Sequence, residues 1–188
     1  MKKYLSILLL LWSSLSFANG LREGVTVWGS YISFQTNQDS YSSGSINGET
    51  KVNNNVLEYK FGYLMNNGLY LGGILSNFET TISSSTENRN IQGATVGYMQ
   101  NGFFGMAHFF FLGKYKLSSG TEFSEPALFN INFDVGYCAM MNSNVFYGVQ
   151  MAYRNLSFAK VTPSGGSTSS LTYKMSDFYP LFNLGLIF

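Results

Sequence analysis

The chain of 188 residues is long enough for one domain, and its 11 basic and 10 acidic side chains leave a formal net charge of +1. This balance offers no basic surface for nucleic acid. Aromatic residues make up 17% of the chain and charged residues only 11%, which excludes a disordered chain and an ordinary water-covered surface. The single cysteine, Cys138, excludes an intrachain disulfide framework and a cysteine zinc cluster.

The first 18 residues have the pattern of a secretory signal peptide. Lys2 and Lys3 form a basic start before a mostly apolar run at residues 5–12, and Ser16 and Ala18 then place small side chains where a signal peptidase cleaves. This apolar run is shorter than the roughly 20 residues that cross a bilayer as a helix, which favours a cleaved signal over a retained anchor. We therefore expect residues 1–18 to be removed and residues 19–188 to form one domain.

From about residue 23 onward, apolar side chains recur at every second position, which is the period of a β-strand. The alternation is clearest in the segments 56–65, 127–139 and 145–154. It is weaker in the segments 69–79 and 103–117, where several glycines argue against a helix. The pattern predicts eight strands, at residues 24–35, 56–65, 69–79, 91–100, 103–117, 127–139, 145–154 and 172–188.

The connections between these strands alternate in length. Tight turns are predicted at residues 66–68, 100–102 and 141–144, and the Asn-Gly pairs of the first two favour type I′ hairpins. Longer polar connections occupy residues 36–54, 80–90, 118–126 and 159–170. This alternation of short turns with long polar connections is typical of a membrane barrel with one periplasmic end and one external end. The sequence therefore predicts a closed antiparallel eight-stranded transmembrane β-barrel at residues 19–188, with periplasmic termini and four external loops.

Charge placement agrees with a surface that faces lipid. In the three clearest strands every charged residue lies opposite the apolar face, as expected where an outward Lys or Arg at mid-bilayer costs roughly 2 to 4 kcal/mol. Aromatic residues near the strand ends are expected in the interfacial belts of the bilayer. These residues are Tyr31, Phe103, Phe129, Tyr147 and Phe188.

The last strand ends on Phe188, and Leu186, Leu184 and Phe182 precede it on the same face. This pattern resembles the carboxyl-terminal strand by which outer-membrane barrel proteins are recognised for assembly. With the signal peptide, the eight strands and the sorted loops, the chain resembles small outer-membrane barrels such as the OmpX and Ail family and the membrane domain of OmpA. The resemblance implies the outer membrane of a Gram-negative bacterium, contact with its lipid and lipopolysaccharide, and recognition by the barrel-assembly machinery. It extends to no catalytic or binding motif.

Pro180 disagrees with this strand pattern. A proline removes one ladder hydrogen bond, and in a closed barrel every strand is paired on both sides. We therefore expect a bulge or a locally weak pair at Pro180.

The interior of an eight-stranded barrel is just wide enough to be filled by side chains, so no open aqueous pore is expected. Buried charges need partners, and the strand order favours pairing of His108 with Asp134 and of Arg154 with Asp177. We predict a polar network in the lumen that holds the barrel closed, with proton or ion gating as the alternative. Its members are Glu58, Lys60, His108, Lys114, Asp134, Arg154 and Asp177.

The sequence favours a protein without enzymatic activity. Membrane-embedded lipid hydrolases need a Ser activated by a His, and the single His, His108, has Met106 and Phe110 as its same-face neighbours. One His cannot make a multi-His metal site, and no cofactor is predicted. Cys138 is expected to be a small buried filler.

Two functions remain open at this point. The first is a structural and surface-interaction role, in which four polar loops contact a host, matrix, phage or lipopolysaccharide partner. The alternative is a narrow conduit or binding barrel for small hydrophobic molecules. Its basis is a predicted inward stripe of Phe104, Met106, Phe110 and Leu112. A continuous cavity along this stripe, opening sideways between strands, would favour the alternative, and a filled interior would exclude the conduit.

Overall fold

A computed structural model describes residues 21–42, 45–126, 130 and 132–188. None of these residues forms a helix long and apolar enough to cross a membrane. The predicted signal peptide at residues 1–18 lies outside the described residues. The strands are β1 (Gly24–Ser42), β2 (Ser45–Leu64), β3 (Leu69–Ile82), β4 (Ser85–Gln100), β5 (Phe103–Lys116), β6 (Glu122–Pro126), β7 (Asn132–Met140), β8 (Val145–Thr162) and β9 (Ser169–Ile187).

These strands close into a ring by antiparallel pairing. Each of β1 to β4 pairs with the strand that follows it, β8 pairs with β9, and β9 returns to β1. The short strands β6 and β7 share one position, because both lie between β5 and β8. Nine strands therefore fill eight positions, and the predicted closed antiparallel barrel of eight strands is confirmed.

Tight turns and both ends of the described chain lie at one end of the barrel, which we call the turn end. Asn101 and Gly102 have φ angles of 52° and 83°, the pair of positive values that a type I′ turn requires. In the turn at residues 66–68 only Gly68 has a positive φ, of 86°. The type I′ prediction is therefore wrong for this turn, which is a three-residue hairpin loop with a left-handed glycine at its last position.

At the opposite end, which we call the far end, the strands run well beyond the predicted limits. The strands β1 and β2 continue through most of residues 36–54, and β3 and β4 include most of residues 80–90. The predicted connection at 159–170 is shorter in the structure, because β8 ends at Thr162 and β9 begins at Ser169. The long polar loops of the prediction are therefore mostly hairpins. The alternation is invisible in the sequence there because polar side chains occupy both faces of the strands.

The outer face of the barrel carries an apolar band next to the turn end. The large exposed side chains of this band include Val25, Tyr31, Tyr59, Phe61, Leu71, Tyr98, Phe103, Val135, Tyr147, Phe182, Leu184 and Phe188. Toward the far end the outer surface changes from apolar to polar, and this change occurs at a similar height along the barrel axis in neighbouring strands. These first polar residues are Ser33 in β1, Asn55 in β2, Asn77 in β3, Gln92 in β4, Lys114 in β5 and Ser176 in β9. Of the predicted belt residues, Phe129 lies outside the described residues.

The inner face is packed in layers. Near the turn end Trp28 lies between Phe104 and Phe146, with ring centroids 5.3 Å from each. Near the far end Tyr115 stacks on Phe123 with centroids 6.0 Å apart, inside the extended hairpins. Between these two apolar layers lie the buried charges described below. A side chain on one strand thus meets the opposite wall of the barrel, as the diameter of an eight-stranded ring requires.

The ring closes along a short seam between β1 and β9. Val25 and Phe188 exchange both backbone hydrogen bonds, at 3.1 and 2.9 Å, and the paired register ends at Tyr31 and Phe182. Hydrogen-bonded pairs alternate along an antiparallel ladder, so the next such pair would join Ser33 to Pro180. Pro180 has no N–H to donate, and the ladder stops there.

The expected disturbance at Pro180 is therefore a weak pair and not a bulge. On its other side Pro180 lies opposite Met151, and the β8–β9 register continues through this pair without a shift. The missing donor faces β1 alone, which explains why only the seam is interrupted.

Gly102→Ala is expected to destabilise the barrel, because a Cβ at this positive φ would lie 2.5 Å from the carbonyl oxygen of Cys138. We expect a loss of at least about 1 kcal/mol in the free energy of unfolding. Urea unfolding in lipid vesicles, followed by tryptophan fluorescence, measures it. Gly105→Ala is the matched control, since a Cβ at Gly105 meets nothing within 4 Å. Equal midpoints for the two variants would contradict the turn geometry.

Candidate functional site

Four charged side chains meet in the middle of the lumen, and all four are fully buried. Glu58 and Lys60 come from β2, Asp134 from β7 and Arg154 from β8. Each lies on the inward face of its strand, and all of their outward neighbours in sequence except Asn155 are aromatic or aliphatic, so the register that buries the charges also exposes the apolar side chains. We call these four residues the ion ring.

Arg154 connects the two carboxylates of the ion ring. Its Nη2 donates to both carboxylate oxygens of Glu58 at 2.8 Å, and its Nη1 donates to Oδ1 of Asp134 at 2.6 Å. Nε of Arg154 adds a third bond to Glu58 at 3.1 Å. A guanidinium presents five donors in a fixed plane, which suits it to holding two carboxylates at once.

Lys60 closes the ring from the other side. Its Nζ lies 3.1 Å from Oε2 of Glu58 and 2.9 Å from Oδ2 of Asp134. Two cations and two anions therefore alternate, and their formal charges cancel. Cancellation matters because an unpaired charge buried in a low-dielectric interior costs several kcal/mol.

Neutral polar groups complete the hydrogen bonding of the carboxylates. Ser76 of β3 and Tyr179 of β9 donate to Glu58 at 3.0 and 3.3 Å. Gln150 of β8 donates to Asp134 at 2.9 Å. The ion ring and its partners thus tie together strands on opposite sides of the barrel.

His108 of β5 lies against the ion ring. Its Nε2 is 3.0 Å from Oδ2 of Asp134, so the structure brings together the pair that the sequence suggested. Its Nδ1 is 2.9 Å from the hydroxyl of Thr95 on β4. Thr95, His108 and Asp134 have the spacing of a nucleophile, a base and an orienting acid, and all three are buried.

Lys114 does not lie in the lumen, and this prediction is wrong. A bulge at Gln92 and Gly93 leaves Phe111 as an extra residue in β5, so the residues that follow change face. The side chain of Lys114 is 63% exposed and forms an ion pair with Glu122 at 2.8 Å. Inward and outward positions therefore exchange in the last part of β5.

The predicted pair between Arg154 and Asp177 is also wrong. The two residues are opposite each other in the β8–β9 register, but Arg154 is committed to the ion ring and Asp177 pairs with Arg89. Arg89 is missing from the predicted network because residues 80–90 were expected to form a loop. Continuing the alternation of the predicted strand 91–100 by two residues would have placed it on the inward face with Ile91.

The apolar stripe proposed for a conduit is packed. Phe104, Met106 and Phe110 are buried in the lumen, and Leu112 is 56% exposed on the outside because it follows the bulge. Cys138 is buried in the turn-end layer beside Phe146 and Trp28. Among the described residues no group of three or more His, Cys, Asp or Glu is arranged to hold a metal ion.

The fold and site define a class: a closed β-barrel with an apolar outer band and a lumen sealed by paired charges. No family model matches the chain, and no curated protein matches its sequence. Among solved structures it is similar to OmpT, in-vitro folded and in a trimer form, an outer membrane protein of Vibrio cholerae, with 12% identity and a TM-score of 0.38. The match covers 87% of this chain and 51% of the other, so this chain spans about half the length of that protein. The fold assignment rests on the strand pairing, and this likeness adds nothing to it.

Asp134→Ala is expected to destabilise the barrel, because it leaves Lys60, Arg154 and His108 buried without a shared partner. Breaking a buried pair costs about 3 to 5 kcal/mol, so the urea midpoint of unfolding in vesicles should fall clearly. Glu125→Ala is the control, since Glu125 forms an exposed ion pair with Lys160 and such pairs contribute at most about 1 kcal/mol. An unchanged midpoint for Asp134→Ala would show that the ion ring does not stabilise the fold.

Proposed function

We propose that the protein is an integral barrel of the bacterial outer membrane and has no conducting pore. The hairpins at its far end form a rigid surface for contact with partners outside the cell. The apolar band carries this proposal. In β5 the outward apolar face runs over residues 103–112, about 30 Å along the strand at roughly 3.3 Å per residue. At a tilt of about 40° this corresponds to about 23 Å, close to the roughly 25 Å band of outer-membrane barrels.

The polar surface of the far end supports an orientation of the barrel in which the far end faces the outside of the cell. Just beyond the apolar band the outer surface carries several lysines, which suit the phosphate groups of lipopolysaccharide. These lysines are Lys51, Lys114, Lys116, Lys160 and Lys174. The turn end, with its short connections and the chain termini, would then face the periplasm.

The sealed lumen supports a role that does not involve transport. Buried charges fill the middle of the barrel, and apolar layers lie above and below them. The conduit is therefore not proposed, since its stripe is packed and one of its four residues lies outside. Absence of enzymatic activity stays part of the proposal, because His108, the single His of the chain, is buried against Asp134.

The hairpins suit a surface-interaction role because they are held together both inside and outside. Inside, Phe123 stacks on Tyr173 at 4.3 Å between ring centroids, and Phe158 is fully buried beside them. Outside, Lys160 of β8 forms an ion pair with Glu125 of the neighbouring strand β6. Pre-ordered strands lose little entropy on binding, which favours a small rigid platform of the OmpX and Ail kind.

The barrel-assembly machinery is the second proposed partner. Phe182, Leu184, Leu186 and Phe188 all point outward from β9 and are exposed along the seam strand. A partner that recognises these side chains can bind them before the seam closes, because they lie on the face of β9 away from the lumen.

Epitope insertion tests the orientation. A short tag inserted at Gly165, in the connection between β8 and β9, should bind antibody on intact cells. The same tag at Asn142, in the turn between β7 and β8, should bind only after the outer membrane is permeabilised. In both cases the band in the outer-membrane fraction should shift on a detergent gel when the sample is boiled. The reverse labelling pattern, or a protein found free in the periplasm, would refute the proposal.

Planar-bilayer recording tests the sealed lumen. The purified protein, inserted in its native orientation, should give no steady unitary current, because the ion ring and the aromatic layers fill the lumen within the described part of the chain. A general porin recorded in the same bilayer serves as the control for insertion and sensitivity. Reproducible single-channel steps from the folded, heat-shiftable protein would overturn the non-conducting assignment.

A further inference from the structure

A lateral opening lies between β1 and β9, directly beyond the seam. Among the described residues the ladder between these strands ends at Tyr31 and Phe182, although both strands continue toward the far end. A cavity of about 280 Å³ occupies this gap. Its lining combines inward side chains, such as Phe34 and Phe78, with the outward Ser176 and Phe178, so it passes from the lumen side to the outer surface.

Four of the seven residues that line this cavity are aromatic, and the other three are Asn54, Ser176 and Asp177. Phe34, Phe78, Phe178 and Tyr179 line it, and the rings of Phe78 and Tyr179 lie 5.8 Å apart. Toward the centre of the barrel, Phe34 and Phe78 pack on the buried layer formed by Val56, Ala152, Tyr179 and Leu181. The cavity therefore ends on this layer and does not continue past the ion ring. It is a dead-end site with a sideways mouth.

The mouth lies where the outer surface changes from apolar to polar. On β9 the outward face is apolar at Phe178 and polar at Ser176, and on β1 it changes between Tyr31 and Ser33. A molecule entering here would have its apolar part at the depth of the bilayer chains and its polar part at the depth of the headgroups. This is the position of an amphiphile at a membrane interface.

Arg89 supplies a charged group behind Phe78; it is not one of the residues that line the cavity, so a ligand reaches it only past the Phe78 ring. Its guanidinium carbon lies 4.6 Å from the ring centre of Phe78, and its Nη1 pairs with Asp177, which also lines the cavity. The side chain is 1% exposed, and neither Nε nor Nη2 has a hydrogen-bond partner among the described residues. Buried donors of this kind are costly when they stay unpaired.

These two nitrogens form one edge of the guanidinium plane. That edge presents two parallel N–H groups, which match the two oxygens of a carboxylate in a bidentate pair. Asp177 uses the opposite side of the fork through Nη1, so a second carboxylate does not compete for the same donor. Arg89 is thus poised to hold two carboxylates, as Arg154 does in the ion ring.

We propose that the β1–β9 opening is a binding site for a long-chain carboxylate, with its head on the Nε and Nη2 edge of Arg89 and its alkyl chain among the aromatic rings. Pro180 keeps the site open, because it removes the donor that would extend the seam past Tyr31. The site is separate from the far-end surface and does not depend on any partner that binds there.

Electron spin resonance with a spin-labelled fatty acid tests this site in the full-length protein, reconstituted in phosphatidylcholine vesicles. The probe is a stearic acid labelled near the end of its chain, at alkaline pH where it is ionised, and its methyl ester is the neutral reference. The motionally restricted fraction gives the relative association constant of acid over ester. We expect the acid to be favoured in the wild type, and Arg89→Gln to reduce this preference about tenfold, as loss of a charge-assisted bidentate pair implies.

Two further variants separate the site from general effects of charge and folding. Pro180→Thr restores the missing donor and should reduce binding of the acid by extending the seam, whereas Pro163→Thr, in the β8–β9 connection, should leave it unchanged. Arg22→Gln removes an exposed positive charge at the turn end and should also have no effect. Folding of every variant is checked by the heat-dependent gel shift.

Ser176→Trp places a large side chain at the mouth of the cavity. It tests the site independently if Arg89→Gln does not fold. We expect it to reduce binding of the acid without altering the gel shift. A wild-type protein that restricts the acid no more than the ester would overturn the proposal. Equal acid binding in the wild type, Ser176→Trp and Pro180→Thr would overturn it as well.

Discussion

The ion ring is the interaction on which the rest of the barrel depends. Two cations and two anions share one buried space, and removing any of them leaves a charge without compensation. Such a cluster is weak support for stability when compared with apolar residues of equal volume. Its effect is on specificity: moving β2 by one residue would turn Glu58 and Lys60 to the outer face and leave Arg154 with Asp134 as its one remaining partner in the ion ring. The cluster therefore fixes the register of strands that are far apart in the chain.

The apolar band and the ion ring are two results of one alternation. Every second residue faces outward, so a strand that presents Tyr59 and Phe61 on the outer face must present Glu58 and Lys60 to the lumen. Bulges break this relation locally. At the bulge near Gly93 the faces of β5 exchange, and this brings Lys114 outside just where the surface becomes polar. The exchange allows β5 to carry aromatic rings inside the hairpins and charges outside them.

This alternation also decides how much of the structure is predictable from sequence. Strand positions near the turn end, the closed antiparallel fold and the approach of His108 to Asp134 all follow from residues with one apolar and one polar face. The strand extensions do not, because Ser, Thr and Asn on both faces leave no contrast to detect. The positions of Lys114 and Leu112 depend on a single extra residue, Phe111, that no local pattern marks. Arg89 lies in such an extension, so the loop prediction leaves it out of the polar network, although its spacing from Ile91 matches the inward face.

The shortness of the seam has a consequence for the order in which the barrel forms. Hairpins such as β1–β2 and β8–β9 join residues close in sequence, whereas the seam joins the first strand to the last. Contacts between distant residues require the largest loss of chain entropy, so local hairpins precede them. With only a few paired residues and a proline at its limit, the seam gains little until every other strand is in place. It is therefore the last contact to form and the first line along which the cylinder can split.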